Sequence, residues 1–296
     1  MTFQFKRTFN LTVGSINVEQ KLNATALRIQ FAIERGAAIK DKGPIPPPTV
    51  EPNNAEVAVW NLSPADRNAL EINQSESQVI AALGASEDRE GPPVRLEVGY
   101  GDDLTQIFFG NLRKIENLKD GTDWITRISG GDSENKLAFA HVSESFKVGT
   151  PHALVLTKLS AALGLGNPAT IPPIGALKQT RRFHGPAAEE LQAFCASIGY
   201  YWSVQNGQVQ IGPKGLPALP GVGPLISPLT GLIGRPRIDN RGNVFGTSLI
   251  LPDLVPGAAF AVASDDVQGA YVTQKTRHYG DSHGNEWYVD FEGAPL

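Results

Sequence analysis

Few residues in this chain have the types and spacing that chemistry needs. His278, Asp281 and His283 set two imidazoles and a carboxylate close together in sequence, the kind of donor set that zinc uses. They stand in or beside Tyr279-Gly280-Asp281-Ser282-His283-Gly284, where Asp, Ser and Gly are what a turn itself demands, so the reading adopted is a solvated hairpin tip without metal. Asp102 and Asp103 follow Gly99-Tyr100-Gly101. A carboxylate pair can hold calcium or act on a glycosidic bond, but adjacent turn residues seldom converge, and calcium needs further oxygen ligands. Cys195, with His184 upstream, has the elements of a thiol nucleophile. It falls instead on an apolar helical stripe with Phe194 and Ile198, and no Asn or Asp partner can be placed, so it reads as a buried small hydrophobe. Arg181-Arg182-Phe183-His184 is the compact basic cluster of the chain. It could touch phosphate, but a charged rim ahead of a helix is the simpler reading. There is no phosphate-binding loop, dinucleotide fingerprint, nucleophile elbow or zinc-protease helix. The expectation is a protein without catalytic residues, metal or cofactor.

The bulk composition agrees with a structural protein. A chain of 296 residues suits two or three small domains. Its 31 glycines and 22 prolines fit a β-rich fold with many corners and not a helical bundle. A net charge of −4 argues against a nucleic-acid binder, which needs a basic footprint. The single cysteine excludes an intrachain disulfide framework and a cysteine-rich zinc site. Phe3, Phe5, Phe9 and Leu11 alternate with polar residues, unlike a secretory leader. No run approaches the ~18 consecutive apolar residues of a membrane span. Synthesis in a host cytoplasm is expected.

Residues 1–140 read as a first β domain. Leu27, Ile29, Phe31 and Ile33 alternate with Arg28, Gln30, Ala32 and Glu34, the period of a half-buried strand. A stiff loop follows at Gly43–Pro48, then a strand through Val57, Val59 and Trp60. Ser63-Pro64-Ala65-Asp66 is a helix start, with Ser63 as N-cap, and a short helix through Leu70 is expected. Strands follow at Val94–Val98, Ile107–Leu112 and Trp124–Ile128, with turns at Gly99–Asp102 and Asp120-Gly121. Residues 141–212 have an α/β texture. Thr150-Pro151 opens one helix and Gly164 ends it. A second runs from Pro186 to Ile198 with Leu191, Phe194, Cys195 and Ile198 on one face. Tyr200, Trp202 and Val204, then Asn206-Gly207, then Val209 and Ile211 make a type I′ hairpin. Residues 213–229, crowded with Pro and Gly, read as an ordered crossover or linker. Residues 230–296 are β again and close on a long hairpin from Tyr271 to Phe291.

That last domain begins with two rigid corners. The first is Thr230-Gly231-Leu232-Ile233-Gly234-Arg235-Pro236, where Gly231 and Gly234 permit positive φ and Pro236 fixes its own. The second is Leu249-Ile250-Leu251-Pro252-Asp253-Leu254-Val255-Pro256-Gly257, stiffened by Pro252, Pro256 and Gly257. This block resembles the second barrel of the central baseplate hub proteins of contractile-tailed bacteriophages. The order of the first domain and the Gly-Tyr-Tyr-Trp hairpin unit resemble the same family, so the resemblance covers nearly the whole chain. Leu251 departs from the family's pattern, where Asn often precedes the proline.

The resemblance implies a fold that is mainly β with an α/β insert: two tube-like antiparallel β-barrel domains plus a small α+β middle domain. It also implies a homotrimer that adapts a six-fold tail tube to a three-fold spike in the virion tail baseplate. Its partners would be the tail tube or a tube-initiator protein, a separate central spike protein and other baseplate proteins, with DNA passing through the lumen without specific binding. The spike is expected on another chain, because this one ends after the second β domain. The tip residues Tyr279, Gly280, Asp281, Ser282, His283 and Gly284 are the expected reach to a neighbour, with an intrachain role as the alternative. Two other readings stay open: a cell-wall carbohydrate-binding module, which needs a row of exposed aromatics, and a tail-associated hydrolase, which needs converging acids or a metal.

Overall fold

The computed structural model describes residues 6–19, 27–37, 52–82, 91–165, 175–219, 221 and 223–296. The proline loop over 43–48, residues 167–174 and positions 220 and 222 of the Pro/Gly-rich stretch lie outside these. In chain order come β1 (Arg7–Val13), β2 (Ile16–Glu19), β3 (Ile29–Gly36), β4 (Asn54–Trp60), α1 (Pro64–Ala82), β5 (Pro93–Tyr100), β6 (Asp103–Asp120) and β7 (Asp123–Gly131). The middle region supplies α2 (Glu134–Phe139), β8 (His141–Phe146), α3 (His152–Ala162), β9 (Arg181–Pro186), α4 (Ala187–Ser197), β10 (Tyr200–Gln205) and β11 (Gln208–Pro213). The last region holds β12 (Leu225–Ile226), β13 (Leu232–Ile238), β14 (Val244–Leu249), β15 (Ala259–Ala263), β16 (Gln268–Asp281) and β17 (Trp287–Pro295).

The fold is mainly β with an α/β insert, as the sequence implied. Among the described residues, one sheet runs β13-β14-β17-β16-β3-β4-β7-β6-β5-β1-β2, with β15 beside β16 and β12 beside β15. Every pairing in it is antiparallel except β12–β15. The strands alternate as their sequences do. Ile29, Phe31 and Ile33 of β3 and Val57 and Val59 of β4 point into one core with Phe9, Leu11, Leu96, Phe108 and Ile128. A second core gathers Val244, Leu254, Phe260, Val262, Tyr271, Val289 and Phe291 on the other side of the β3–β16 junction. Each fully buried aliphatic or aromatic side chain contributes about 1.5–3 kcal/mol, against 0–1 kcal/mol for an exposed ion pair, so these cores decide the fold.

Helix α1 is longer than expected and runs on past Leu70 to Ala82. Its start is as read: Ser63 Oγ accepts the Asp66 N–H at 3.1 Å, an N-cap bond. Leu70 is buried in the first core, and Arg67 lies 4.3 Å over the Trp124 ring.

The middle unit packs α3 and α4 against β8–β9 and the β10–β11 hairpin. Leu191, Phe194 and Cys195 face inward with Leu156, Leu159, Phe183 and Trp202. Phe183 meets Phe194 edge-on at 5.5 Å and Phe146 at 5.7 Å. The hairpin turns at Asn206 and Gly207, both at positive φ (55° and 74°), as a type I′ turn requires. Strands β8 and β9 and helix α2 are additions to the elements expected from the sequence. The Arg181–His184 segment, read as a rim ahead of a helix, is the strand β9 paired with β8.

A buried polar cluster fastens the middle unit to the first β region. Arg35 at the end of β3 is only 2% exposed. Its Nε donates to Gln205 Oε1 at 3.0 Å and its Nη1 to the Ile107 carbonyl at 3.1 Å. Asn53 Nδ2 donates to Asp132, Val204 O and Gln205 Oε1. Gln205 Nε2 donates to Gly36 O, and Gly207 N–H to Asp132 Oδ1 at 2.9 Å. Burial pushes the Asp132 carboxyl up, opposed by Ser133, Asn53 and Gly207 N–H. Burial likewise lowers Arg35 to about 10, which leaves it charged at neutral pH.

Candidate assembly surface

The feature that organises the molecule is the seam between the two β regions. β3 and β16 pair from Lys275↔Gly36 to Asp281↔Gln30, so two edges that would each present unpaired backbone groups satisfy one another. Period-two alternation sends Ile33, Arg35, Thr276 and His278 to the core side. Gln30, Ala32, Glu34, Arg277 and Tyr279 go to the opposite side.

That opposite side is continuous across both β regions. It takes in Thr247 of β14, Tyr288, Asp290 and Glu292 of β17, Glu56 and Ala58 of β4, Arg127 and Ser129 of β7, and Lys114 and Glu116 of β6. All of these side chains are exposed or half-buried. Its charges alternate and meet one another. Arg277 Nε lies 3.7 Å from Glu34, Lys114 Nζ 2.5 Å from Glu116, and Ser129 Oγ donates to Glu56 at 2.8 Å. Thr247 Oγ1 donates to Asp290 at 2.7 Å. A shallow hollow of about 430 Å³ lies on the seam, lined by Ala32, Ala58, Arg127, Arg277, Tyr279 and Glu56 among others.

The hairpin tip is anchored within the chain. Asp281 accepts Arg28 Nη2 at 2.6 Å, Gln30 Nε2 at 2.8 Å and the His283 N–H at 2.9 Å. Burial by itself would raise this carboxyl, but Arg28, Gln30 and His283 N–H outweigh it and hold it well below the usual carboxylate range. Ser282 N–H donates to Ile29 O and Ile29 N–H to Ser282 Oγ, at 2.9 and 3.0 Å. Arg7 reaches across from β1 to the carbonyls of Gly284 and Asn285. Tyr279 and Gly280 belong to β16 itself. Gly280 has no room for a side chain: a Cβ there would stand 2.6 Å from Trp287 and 2.9 Å from Phe31.

The three residues considered for metal do not converge. His278 is fully buried on the core side, with Nε2 3.1 Å from Leu251 O. Burial, with the Arg35 charge, lowers its imidazole to about 3. Asp281 is saturated by the bonds above, and His283 sits exposed beside Ser282. Among the described residues no group of three His, Cys, Asp or Glu could hold a metal ion. Asp102 and Asp103 sit at the β5–β6 turn with Gly101 at φ 62°. Cys195 is fully buried, its thiol pushed up by burial to about 12. His184 lies on the exposed side of β9, 3.4 Å from Ser143 Oγ.

The two corners have different jobs. Gly234 and Pro236 fall inside β13, where the register shifts between Ile233 and Arg237, so the first corner is a bulged edge strand. Gly231, at φ 111°, offers its carbonyl to Leu249 N–H and Ser248 Oγ. Pro252, Pro256 and Gly257 form the second corner, and it docks on the middle unit and its linker. Gly257 O accepts Ala218 N–H at 2.9 Å, and a Cβ at Gly257 would meet Gln210 and Ala218. The four tryptophans divide evenly. Trp202 and Trp287 are buried, while Trp60 and Trp124 are half-buried under the guanidinium groups of Arg28 and Arg67. Sequence reasoning missed Arg35, Asn53, Asp132 and Gln205. One signal was present: extending the alternation Ile29, Phe31, Ile33 by one step puts Arg35 on the core side.

No protein-family model matches the sequence, and no curated protein does. Solved structures do. A tail protein from Neisseria meningitidis MC58 is similar at TM-score 0.61 and 10% identity, over 98% of this chain and 96% of that one. The 43 kDa tail protein of prophage MuSo2 from Shewanella oneidensis is similar at TM-score 0.62 and 9% identity, over 98% of each chain. An Escherichia coli component of the type VI secretion system, described as structurally similar to bacteriophage T4 tail proteins, matches at TM-score 0.56 and 8% identity over 97% of this chain and 76% of that one. From end to end, the protein has the fold of phage tail proteins and of their type VI secretion counterpart.

Proposed function

We propose that the protein is a structural hub of a phage-type tail baseplate, and that three copies close a ring of six β units with the open sheet face lining the bore. The observation that carries this reading is the β3–β16 seam. One chain joins two β regions edge to edge into a single wall with one continuous face of exposed and half-buried side chains, and repeating that junction between chains would continue the wall. In this reading two strands offer edges for that contact. β13 has β14 as its strand partner, and Ile233 and Ile238 on it are 43% and 51% exposed. In the first β region β6 outruns β5: its pairing with β5 stops at Asn111, while its pairing with β7 continues to Asp120. A head-to-tail contact between unlike edges closes into a ring when the rotation permits.

The bases named on the open face do not outnumber its acids, and Arg277 and Lys114 lie against carboxylates, which suits a passage that DNA traverses without sticking, since polyanion affinity needs unneutralised cations. In this reading the ring meets the tail tube on one side and a separate spike on the other, in the virion baseplate, and the chain performs no catalysis. The hairpin tip serves the seam from within the chain, and any reach to a neighbour is secondary. The test is the mass of the purified protein alone and mixed with the tube and spike proteins of its own particle. A trimer, alone or with a partner, supports the hub; a monomer under every condition removes it.

A further inference from the structure

The basic cluster, to which the hub reading gives no role, has a defined surface in the fold. β8 and β9 pair from His141↔Pro186 to Phe146↔Arg181. Beyond Phe146 the two segments stay together: Gly149 N–H donates to Leu177 O and Leu177 N–H to Thr150 O, both at 2.9 Å, and Pro151 bridges Ala176. Residues 147–150 therefore run beside 176–181, which gathers Lys147, Lys178, Arg181 and Arg182 at one end of the two-stranded sheet. Phe146, Leu177 and Phe183 take the buried side.

Arg181 is held in place. Its guanidinium lies 4.9 Å over Phe183 and 5.2 Å over Phe194, and Nη1 donates to Ser197 Oγ. Lys147, Lys178 and Arg182 are exposed, and no ion pair joins any of them to a carboxylate among the described residues. Glu144 is the sole acid within 141–150 and 175–186, in a chain whose 30 acids outnumber its 26 bases. Cations are thus concentrated here on an otherwise acidic protein. Val148, 63% exposed, stands among them. An apolar side chain inside a charged rim is the pattern of a protein interface. Single-strand nucleic-acid sites add exposed aromatic platforms for the bases, and the phenylalanines at this end of the sheet, Phe146 and Phe183, are both buried.

We propose that this end of the middle unit docks an acidic segment of another protein, with carboxylates on Lys147, Lys178 and Arg182 and an apolar side chain on Val148. The inference does not depend on the ring. The probe is a labelled peptide of alternating glutamate and leucine, followed by fluorescence anisotropy against the full chain. Binding is expected, weakened by salt, and reduced about tenfold or more in the Lys147→Glu/Lys178→Glu/Arg182→Glu variant, because rim charges act through screened attraction. Val148→Asp should also weaken it, with an unchanged melting curve. Lys119→Glu/Lys275→Glu, on the main sheet, should leave it intact. The proposal is overturned by no peptide binding, by equal binding to the triple variant, or by a duplex oligonucleotide binding more tightly than the peptide.

Discussion

Arg28 Nη2 lies 2.6 Å from Asp281 Oδ2, which ties the start of β3 to the end of β16. The Asp281 side chain is 8% exposed, whereas that of Arg28 is 40% exposed. Most of the value of this contact therefore resides in satisfying the buried carboxylate. Asp281→Asn is expected to cost about 1–3 kcal/mol, the range for hydrogen bonds to a charged group. Because the folded carboxyl is held below its unfolded value, that stability is present above the unfolded value of about 3.9 and is lost as pH falls through the folded one. Urea denaturation at neutral pH and at pH near 3 should show the wild-type advantage shrinking with acid.

His278 contributes a second pH effect in a different window. Its folded value of about 3 lies below the unfolded value of about 6.5. Between the two, the unfolded chain binds a proton that the folded chain refuses. Stability is full above the unfolded value and falls toward the folded one, by up to about 1.4 kcal/mol per pH unit. His278→Gln should flatten that part of the profile, and nitrogen chemical shifts should show a neutral ring with the proton on Nε2 at pH 5. A ring that titrates near 6.5 in the folded protein would contradict this.

Gly280 is required by close approach and not by backbone conformation. Phe31 and Trp287 meet edge-on at 5.2 Å, and the Gly280 backbone passes against both. Gly280→Ala is expected to destabilise by about 1–3 kcal/mol, the usual cost of overpacking, with loss of the seam's protection from hydrogen exchange. An unchanged melting temperature would show that the rings can yield.

Gln205 is the joint of the buried cluster. Gln205→Ala removes an acceptor from both Arg35 and Asn53 and leaves a buried cation short of a partner. The expected loss is about 2–4 kcal/mol, since stranded buried polar groups cost their desolvation. Hydrogen exchange should localise the change to β10, β11 and the end of β3. A uniform change across the chain would place the joint elsewhere.

The edge strand β13 offers the direct check on assembly. Ile233→Lys with Ile238→Lys should keep the monomer folded by circular dichroism and prevent the proposed trimer, because lysines on an edge oppose pairing with another chain. Persistence of the oligomer in the double variant would exclude β13 from the contact.

Local chemistry wrote much of this fold into the chain. The alternation through Ile29, Phe31 and Ile33, the Ser63 cap, the stripe of Leu191, Phe194 and Cys195 and the Asn206-Gly207 turn each follow from rules of one strand, one helix end or one turn, and all appear in the structure. The corner glycines and prolines marked a bend in the chain but not its kind, since only the partner strand β14 shows that Gly234–Pro236 is a bulge. Arg35, Asn53, Asp132 and Gln205 lie far apart in sequence, and nothing local distinguishes them from surface polar residues until the hairpin packs on β3. The same holds for His278 and Asp281. As neighbours in a turn they look like a ligand set, but pairing with β3 buries one on the core side and neutralises the other against Arg28. Strand pairing across more than two hundred residues joins β3 to β16 and creates the open face, and no periodicity within either strand encodes which edge it will meet.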